Sequence, residues 1–292
     1  MNASSRFGRA RIRDFVRSGA VLAFDFDGTL APIRRDPDHV HLSARMRAAL
    51  TRLTARAPCV VLSGRARVDL ELRVRGLGLV ALSGDHGHDR KAPSVRERAT
   101  LDRYAEALVP IVTALRGTRL ERKRHTLAVH WRTATSPALA RRHILRAVRA
   151  LAPARSVFGK CVVELHADAT DHKGTALERL CRSLRRTRAL YVGDDTTDED
   201  VFTRPGRIDV LGIHVGRGPT RAALRLDRQA EVVELIEFLG DALDGVDPRE
   251  LKSPRCPTRA GTPRGTRAAV RASPDARDAA AGVPDRRARG TP

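Results

Sequence analysis

The chain has 292 residues, of which 41% are hydrophobic and 30% charged, a composition typical of a soluble protein with one large domain or two smaller ones. No run approaches the roughly 18 apolar residues of a membrane span, and the basic N-terminus lacks the apolar centre of a secretory signal. We therefore expect a cytoplasmic location and no membrane partner. The four cysteines are far apart and show no metal-ligand spacing.

The net charge of +21 at pH 7 could indicate a nucleic-acid-binding protein with arginine-rich ends. However, only five of the 55 basic residues are lysines, which favours a compositional bias towards arginine along the whole chain. Aromatic residues, on which single-stranded nucleic acids stack, make up only 3%. Nucleic acid is therefore an unfavoured partner, and each retained lysine is a candidate for a role that arginine cannot fill.

Short apolar runs that end in Gly, Ser or Asp alternate with amphipathic stretches. The runs predict strands buried on both faces, at 21–26, 59–64, 79–84, 189–194 and 210–216. Amphipathic spacing predicts a helix capped by Ser43, followed by helices at 173–186, 219–226 and 229–242. The alternation predicts a doubly wound, mainly parallel, Rossmann-like α/β core.

The middle of the chain has a different order of predicted elements, in which a helix followed by two strands occurs twice. The helices are predicted at 96–116 and 136–152, and the strands at 119–123, 125–132, 156–159 and 161–167. This order predicts an α+β cap domain with an antiparallel sheet, residues 94–168, inserted between the core segments 18–93 and 169–243. Residues 1–17 are expected to form a basic N-terminal extension, and residues 244–292, rich in Pro, Arg and Ala, a disordered tail.

Reactive side chains cluster where predicted strands end. Asp25 and Asp27 follow the first strand and Ser63 the second, while Lys173 opens a predicted helix. Asp194, Asp195 and Asp198 follow the strand at 189–194. Ligands of open α/β sheets bind at the carboxyl ends of the strands, where carboxylates would bind Mg²⁺ and the hydroxyl and ammonium groups would bind phosphate oxygens. Each motif alone is more often a turn, a strand exit or a helix boundary, but the set predicts metal-assisted phosphoryl transfer.

The motifs "DFDGT", "LSGR", "HKG" and "GDDTTDED", in this order, resemble those of the haloacid-dehalogenase-like phosphatase superfamily. Together with "GDHG", "LERKRHTLAVHWR" and "VVELHADATDHKGTAL" they resemble the trehalose-6-phosphate phosphatase family, over roughly residues 18–243. The resemblance implies hydrolysis of trehalose 6-phosphate to trehalose and phosphate through an aspartyl-phosphate intermediate.

The resemblance also implies a role for each candidate residue. Asp25 would be the nucleophile, and the Asp27 side chain would protonate the leaving oxygen and then activate water. Ser63 and Lys173 would hold the phosphoryl oxygens. Mg²⁺ would be bound by Asp25, Asp194 and the Asp27 main-chain carbonyl, with Asp195 and Asp198 orienting its waters.

The family's cap binds the sugar, and the matching positions here are Glu121, Lys123, Arg132 and Glu164, with His86 and Arg65 as further substrate-binding candidates. The alternative is that the charges of 119–123 form a solvated strand face. The sequence departs from the family pattern at His88, His166 and Ala167. A sucrose or glucosylglycerol phosphate is therefore an alternative substrate. A catalytically silent homologue ranks last because the catalytic positions are filled, and we favour a monomer.

Overall fold

The computed structural model describes residues 1–34, 36–88, 92–159, 161–167, 171–203 and 206–246. The predicted disordered tail lies outside these residues from position 247 onward. Among the residues described, no helix has both the length and the apolar character needed to cross a membrane.

Six parallel strands form the larger sheet, in the order β10-β9-β8-β1-β2-β3. They are β1 (Val21–Phe24), β2 (Cys59–Leu62), β3 (Ala81–Ser83), β8 (Arg188–Gly193), β9 (Asp209–Val215) and β10 (Leu224–Leu226). The strand β1 is fully buried and pairs with β2 on one side and β8 on the other. The prediction of a doubly wound parallel core is confirmed.

Helices cover both faces of this sheet. They are α1 (Arg6–Arg17), α2 (Ala44–Thr54), α3 (Arg67–Arg73), α6 (Lys173–Ser183), α7 (Glu199–Thr203) and α8 (Val232–Ala242). Alternate residues of a strand point to opposite faces, so Leu22 and Phe24 pack with α1, α2, α3 and α8, whereas Val21 and Ala23 pack with α6 and α7.

Residues 1–17, expected to be an extension, instead pack on the core. Ser5 caps α1 by accepting a hydrogen bond from the Gly8 amide at 3.1 Å, and Ile12 and Val16 are buried in the apolar core. Ahead of the helix, the Ala3 amide donates to the Arg225 carbonyl at 2.7 Å, so the first residues lie along the free edge of β10. In the sequence, five arginines among these 17 residues obscure the apolar positions that make this contact.

The prediction of a helix at 219–226 is wrong. Residues 224–226 form β10, which pairs in parallel with β9, and residues 217–223 contain no helix. Leu224 and Leu226 are buried whereas Arg225 is only half-buried, which is the period of two that a strand requires.

The smaller sheet is antiparallel, in the order β4-β5-β7-β6. Its strands are β4 (Arg119–Arg122), β5 (Thr126–His130), β6 (Arg155–Gly159) and β7 (Val162–His166), and its helices are α4 (Val95–Ala114) and α5 (Pro137–Leu151). Leu127, Val129, Val163 and Leu165 pack against these helices. The opposite face carries the polar side chains, and Arg155 on it pairs with Asp200 of α7, so the polar face contacts the larger sheet's domain.

Ile12 should contribute substantially to stability, because its side chain is fully buried between α1 and the core. We expect Ile12→Ala to lower the free energy of unfolding by about 2–5 kcal/mol, since it leaves a cavity. Urea unfolding measures the change, and Arg11→Ala, at an exposed position of the same helix, is the matched control. Equal stability of the two variants would show that α1 is not part of the folded core.

Candidate active site

The acidic residues of the site extend from neighbouring parallel strands. Asp25 follows β1 directly, and its amide donates to the Val192 carbonyl of β8 at 2.9 Å, so the strand pairing continues past the end of β1. Asp194 follows the last residue of β8. The two carboxylates therefore reach the same edge of the sheet, as the sequence predicted.

Gly28 allows the loop after β1 to lie against Asp194. Its φ of +79° is in the left-handed region, and a Cβ built there would lie only 2.1 Å from Asp194 Oδ2. A side chain at this position would displace the carboxylate. From the same loop, the Thr29 hydroxyl lies 3.4 Å from the other oxygen of Asp194.

Lys173, the first residue of α6, is buried between two carboxylates. Its Nζ donates to Asp25 Oδ1 and to Asp198 Oδ1, at 2.7 Å in each case. Burial by itself lowers the pKa of Lys173, but the charges of Asp198 and Asp25 outweigh burial and raise it. The ammonium is therefore held in its charged form beside Asp25.

Asp198 is fully engaged by the protein. Besides Lys173, its Oδ1 accepts a hydrogen bond from the Tyr191 hydroxyl at 2.6 Å, and its Oδ2 accepts one from the Asp195 amide at 2.9 Å. The residue is completely buried. Asp198 therefore anchors Lys173 and the loop after β8. The Asp195 carboxylate instead accepts a hydrogen bond from the amide of the next residue, Thr196, at 2.7 Å.

The site carries more negative than positive charge. Carboxylate oxygens of Asp25, Asp194 and Asp198 all lie within 4.8 Å of one another. Burial and the repulsion from Asp198 and Asp194 raise the pKa of Asp25 in spite of Lys173, and burial together with Asp198 raises the pKa of Asp194 to about 7. A divalent cation would relieve this repulsion, and an all-oxygen donor set suits a hard cation, so the residues present fit a metal ion.

Ser63 and Arg65 follow β2. The Ser63 hydroxyl is buried and accepts a hydrogen bond from the Arg65 amide at 3.2 Å. The guanidinium of Arg65 binds both oxygens of Asp27, each at 2.7 Å. The Asp27 side chain therefore faces Arg65 and is not among the three clustered carboxylates.

Three of the predicted sugar-binding residues come together at the junction of the two sheets. Lys123 Nζ lies 3.1 Å from Glu164 Oε2, and His86 Nε2 lies 3.8 Å from the same oxygen. The His86 amide donates to the Ser63 carbonyl at 3.0 Å, which connects this group to the end of β2. Burial opposes ionisation of Glu164, but the interactions of its carboxylate with His86, Lys123 and the Thr126 hydroxyl lower its pKa to about 2.

The other two predicted cap residues are not part of this group. Glu121 lies on the same face of the sheet as Glu164, since Ala128 is paired with both. Its carboxylate binds His130 Nε2 at 2.7 Å. Arg132 is exposed and follows the end of β5.

Sequence reasoning did not anticipate a row of four histidines at this junction, of which His88, His125 and His166 are buried and His86 is partly buried. The ring centroids are 5.2 Å apart for His125 and His88, 5.6 Å for His88 and His166, and 6.3 Å for His166 and His86. Burial lowers the pKa of His86 to about 3 and that of His166 to about 4. His88 and His166 are the positions that depart from the family pattern, so the departure was the available signal. Nothing in the sequence pointed to His125 or to His130.

A cleft of about 650 Å³ opens beside Asp194, on the side of β9 and β10. Its lining includes Asp194, Asp195, His214 and the residues 216–219. None of the predicted sugar-binding residues lines it. The junction of the two sheets, where Glu164 meets His86, is thus a separate region of the site.

The fold is similar to that of solved phosphatases of the haloacid-dehalogenase superfamily. A phosphatase of that superfamily from Bacteroides thetaiotaomicron superposes with a TM-score of 0.56 at 13% identity, covering 77% of this chain and 96% of that one. The C-terminal domain of trehalose-6-phosphate phosphatase from Candida albicans superposes with a TM-score of 0.68 at 22% identity, covering 80% of this chain and 96% of that one. At these identities the likeness shows the fold alone.

Sequence comparison identifies the family. The trehalose-phosphatase family model matches residues 23–230, and the chain belongs to that family. The trehalose-phosphate phosphatase of Mycolicibacterium paratuberculosis is 36% identical over 247 residues, which are 76% of this chain and 62% of that protein. The match to the Mycobacterium avium enzyme has the same identity and coverage. The chain thus spans less than two thirds of the length of these relatives.

Because His86 and His166 are neutral when folded, these two residues should lower the stability of the chain in mild acid. Asp25 and Asp194 act in the opposite direction, because their raised pKa values make the folded chain take up protons first, so the histidine contribution is read from a histidine variant. The pKa values of the two histidines lie below the ordinary 6.5, so at these positions the unfolded chain takes up protons first as the pH drops. The contribution of each histidine is present above about pH 6.5 and is lost as the pH falls, down to about pH 4 for His166 and about pH 3 for His86. Each histidine should remove roughly 2 kcal/mol between pH 6.5 and 5.

Urea unfolding at pH 7.5, 6.5 and 5.5 measures this dependence, and His166→Gln should reduce the slope below pH 6.5. The same pH dependence in the wild type and in His166→Gln would contradict the burial of a neutral histidine at this position.

Proposed function

We propose that this chain is a Mg²⁺-dependent phosphomonoesterase that hydrolyses trehalose 6-phosphate to trehalose and inorganic phosphate. The observation that carries the proposal is the buried Asp25 carboxylate, bridged by Lys173 to Asp198 and lying beside Asp194, in a member of the trehalose-phosphatase family.

Asp25 acts as the nucleophile. Its carboxylate oxygen attacks phosphorus, the bond from phosphorus to the sugar oxygen breaks, and Asp27 transfers a proton to that oxygen. Water then attacks the phosphoryl group on Asp25 and gives a proton to Asp27. The bond from phosphorus to Asp25 breaks, phosphate leaves and the free carboxylate is restored.

Lys173 and Ser63 hold the phosphoryl group. Lys173 already donates to Asp25 at 2.7 Å, so its charge lies next to the oxygen that reacts and opposes the repulsion between Asp25 and an anionic substrate. The buried Ser63 hydroxyl, at the end of the adjoining strand, is a hydrogen-bond donor for a phosphoryl oxygen.

Asp25, Asp194 and the Asp27 main-chain carbonyl would hold Mg²⁺. When bound, the ion neutralises negative charge on the carboxylates and the phosphoryl group. Both oxygens of Asp198 are already engaged, so its part is to fix Lys173 and the loop after β8. Asp195 would contact a metal-bound water.

The sugar would bind between the two sheets. Glu164 and Lys123 on the polar face of the smaller sheet offer hydroxyl acceptors and donors, and His86 connects them to Ser63. Another sugar phosphate, such as a sucrose or glucosylglycerol phosphate, is the second candidate, because His88 and His166 are histidines at this junction. The cytoplasmic location and the monomeric state remain predictions.

A panel of sugar phosphates tests the substrate. We expect the highest kcat/KM for trehalose 6-phosphate, loss of phosphate release with EDTA, and recovery with added Mg²⁺. A higher kcat/KM for sucrose 6-phosphate or glucosylglycerol phosphate would overturn the specificity. Full activity in EDTA would overturn the metal requirement.

Asp25→Asn tests the nucleophile. A carboxamide does not attack phosphorus, so we expect phosphate release to fall by about 10³-fold or more. The fold should be retained, because the change removes one of three mutually repelling carboxylates. Circular dichroism checks the fold, and Asp209→Asn, at the exposed start of β9, is the matched control. Substantial turnover by the Asp25 variant would show that another group is the nucleophile.

A further inference from the structure

The carboxylate of Asp27 is held by two parallel hydrogen bonds from one side chain. Arg65 Nε lies 2.7 Å from Asp27 Oδ2, and a terminal nitrogen of Arg65 lies 2.7 Å from Asp27 Oδ1. Such a bidentate pair fixes the plane of the carboxylate as well as its position. The Asp27 side chain is otherwise about one third exposed, so this contact restricts a side chain that would change rotamers freely.

Arg65 itself is anchored. Its other terminal nitrogen lies 2.9 Å from Asp69, and Asp69 is held in turn by Arg73 one helical turn further on. The Arg65 carbonyl accepts a hydrogen bond from the Asp85 amide at 2.8 Å. The guanidinium of Arg65 is therefore a fixed support for Asp27, because Asp69 of α3 holds it in one orientation.

The pairing leaves Asp27 able to transfer a proton. Each carboxylate oxygen has a second lone pair in addition to the one that Arg65 occupies. A proton on that lone pair is directed by the plane that Arg65 sets. Lysine has a single charged nitrogen and does not reproduce this planar contact.

We propose that Arg65 is a positioning residue, which orients the Asp27 carboxyl so that its proton reaches the leaving oxygen. The inference rests on the proposed function, since it assigns Asp27 as the acid for that step. It differs from the role that the sequence suggested for Arg65, which was direct contact with the substrate.

The leaving group separates these roles. A sugar oxygen leaves only with a proton, because it is strongly basic, whereas p-nitrophenolate leaves without one. The position of Asp27 should therefore affect the rate at which the aspartyl-phosphate forms from a sugar phosphate. It should not affect the rate at which the aspartyl-phosphate forms from p-nitrophenyl phosphate. Direct contact of Arg65 with the phosphoryl group would affect both substrates equally. Direct contact of Arg65 with the sugar would add to the loss that Asp27→Asn causes, so the double variant excludes it.

The experiment measures the first turnover of Arg65→Lys with both substrates, by rapid quench and stopped flow. We expect the rate of sugar release from trehalose 6-phosphate to fall about 10–100-fold. The burst rate of p-nitrophenolate release should change less than about 3-fold. Arg67→Lys, at a neighbouring arginine paired with Glu71, is the matched control and should affect neither rate.

Two further variants guard against a simple folding defect. Asp69→Asn loosens the support of Arg65 without touching Asp27 and should give the same selective loss, to a smaller extent. Combining Arg65→Lys with Asp27→Asn should cause no loss beyond that of Asp27→Asn alone, because the two residues act as a unit. Thermal unfolding of each variant monitors the fold.

Equal loss on both substrates, or no loss on either, overturns the positioning role. Failure of the proposed function looks different. If the wild-type chain hydrolyses p-nitrophenyl phosphate but not trehalose 6-phosphate, the substrate assignment is wrong. The Arg65 comparison is then made with an alkyl phosphate that the wild type does accept, such as another sugar phosphate of the panel.

Discussion

The site depends on one buried ammonium group shared by two carboxylates. Lys173 contacts Asp25 and Asp198 at 2.7 Å each, and all three side chains are at most 5% exposed. Removing charges from water is costly, and a buried charge that loses its partner is strongly destabilising. The three elements that carry these residues therefore have to meet accurately: β1 and β8 by their pairing, and α6 by packing its first turn beneath the acidic loops. The contacts of Lys173 with Asp25 and Asp198 therefore depend on the correct folded arrangement of β1, β8 and α6.

The region next to that centre has a different chemistry. Where the two sheets meet, the imidazole rings of His86, His88 and His166 lie close to one another, and the charged side chains of Glu164 and Lys123 pair beside them. Neutral imidazoles offer one donor and one acceptor each. This makes the junction suited to an uncharged, hydroxyl-rich leaving group and less suited to a second phosphate. The clustered carboxylates of Asp25, Asp194 and Asp198 lie at the neighbouring sheet edge.

The elements that carry the centre were predictable because each has a local signal. The strands β1 and β8 are apolar runs ending in aspartates, and Lys173 is one of only five lysines. Local signals fail where tertiary contacts decide. The apolar face of α1 is hidden among arginines. The contact of Arg65 with Asp27 joins positions 38 residues apart, and the row of histidines exists only because the smaller sheet docks with its polar face towards the loop after β3.

The first residues of the chain cover the outer side of β10, where the Asn2 backbone pairs in parallel with Arg225. An uncovered outer strand offers free amide and carbonyl groups to any extended polypeptide and so promotes self-association. A purification tag, leader sequence or fusion partner joined ahead of Met1 would lie directly beside this edge of β10. Recombinant versions with such additions should therefore be checked for aggregation, and attachment elsewhere is the safer choice.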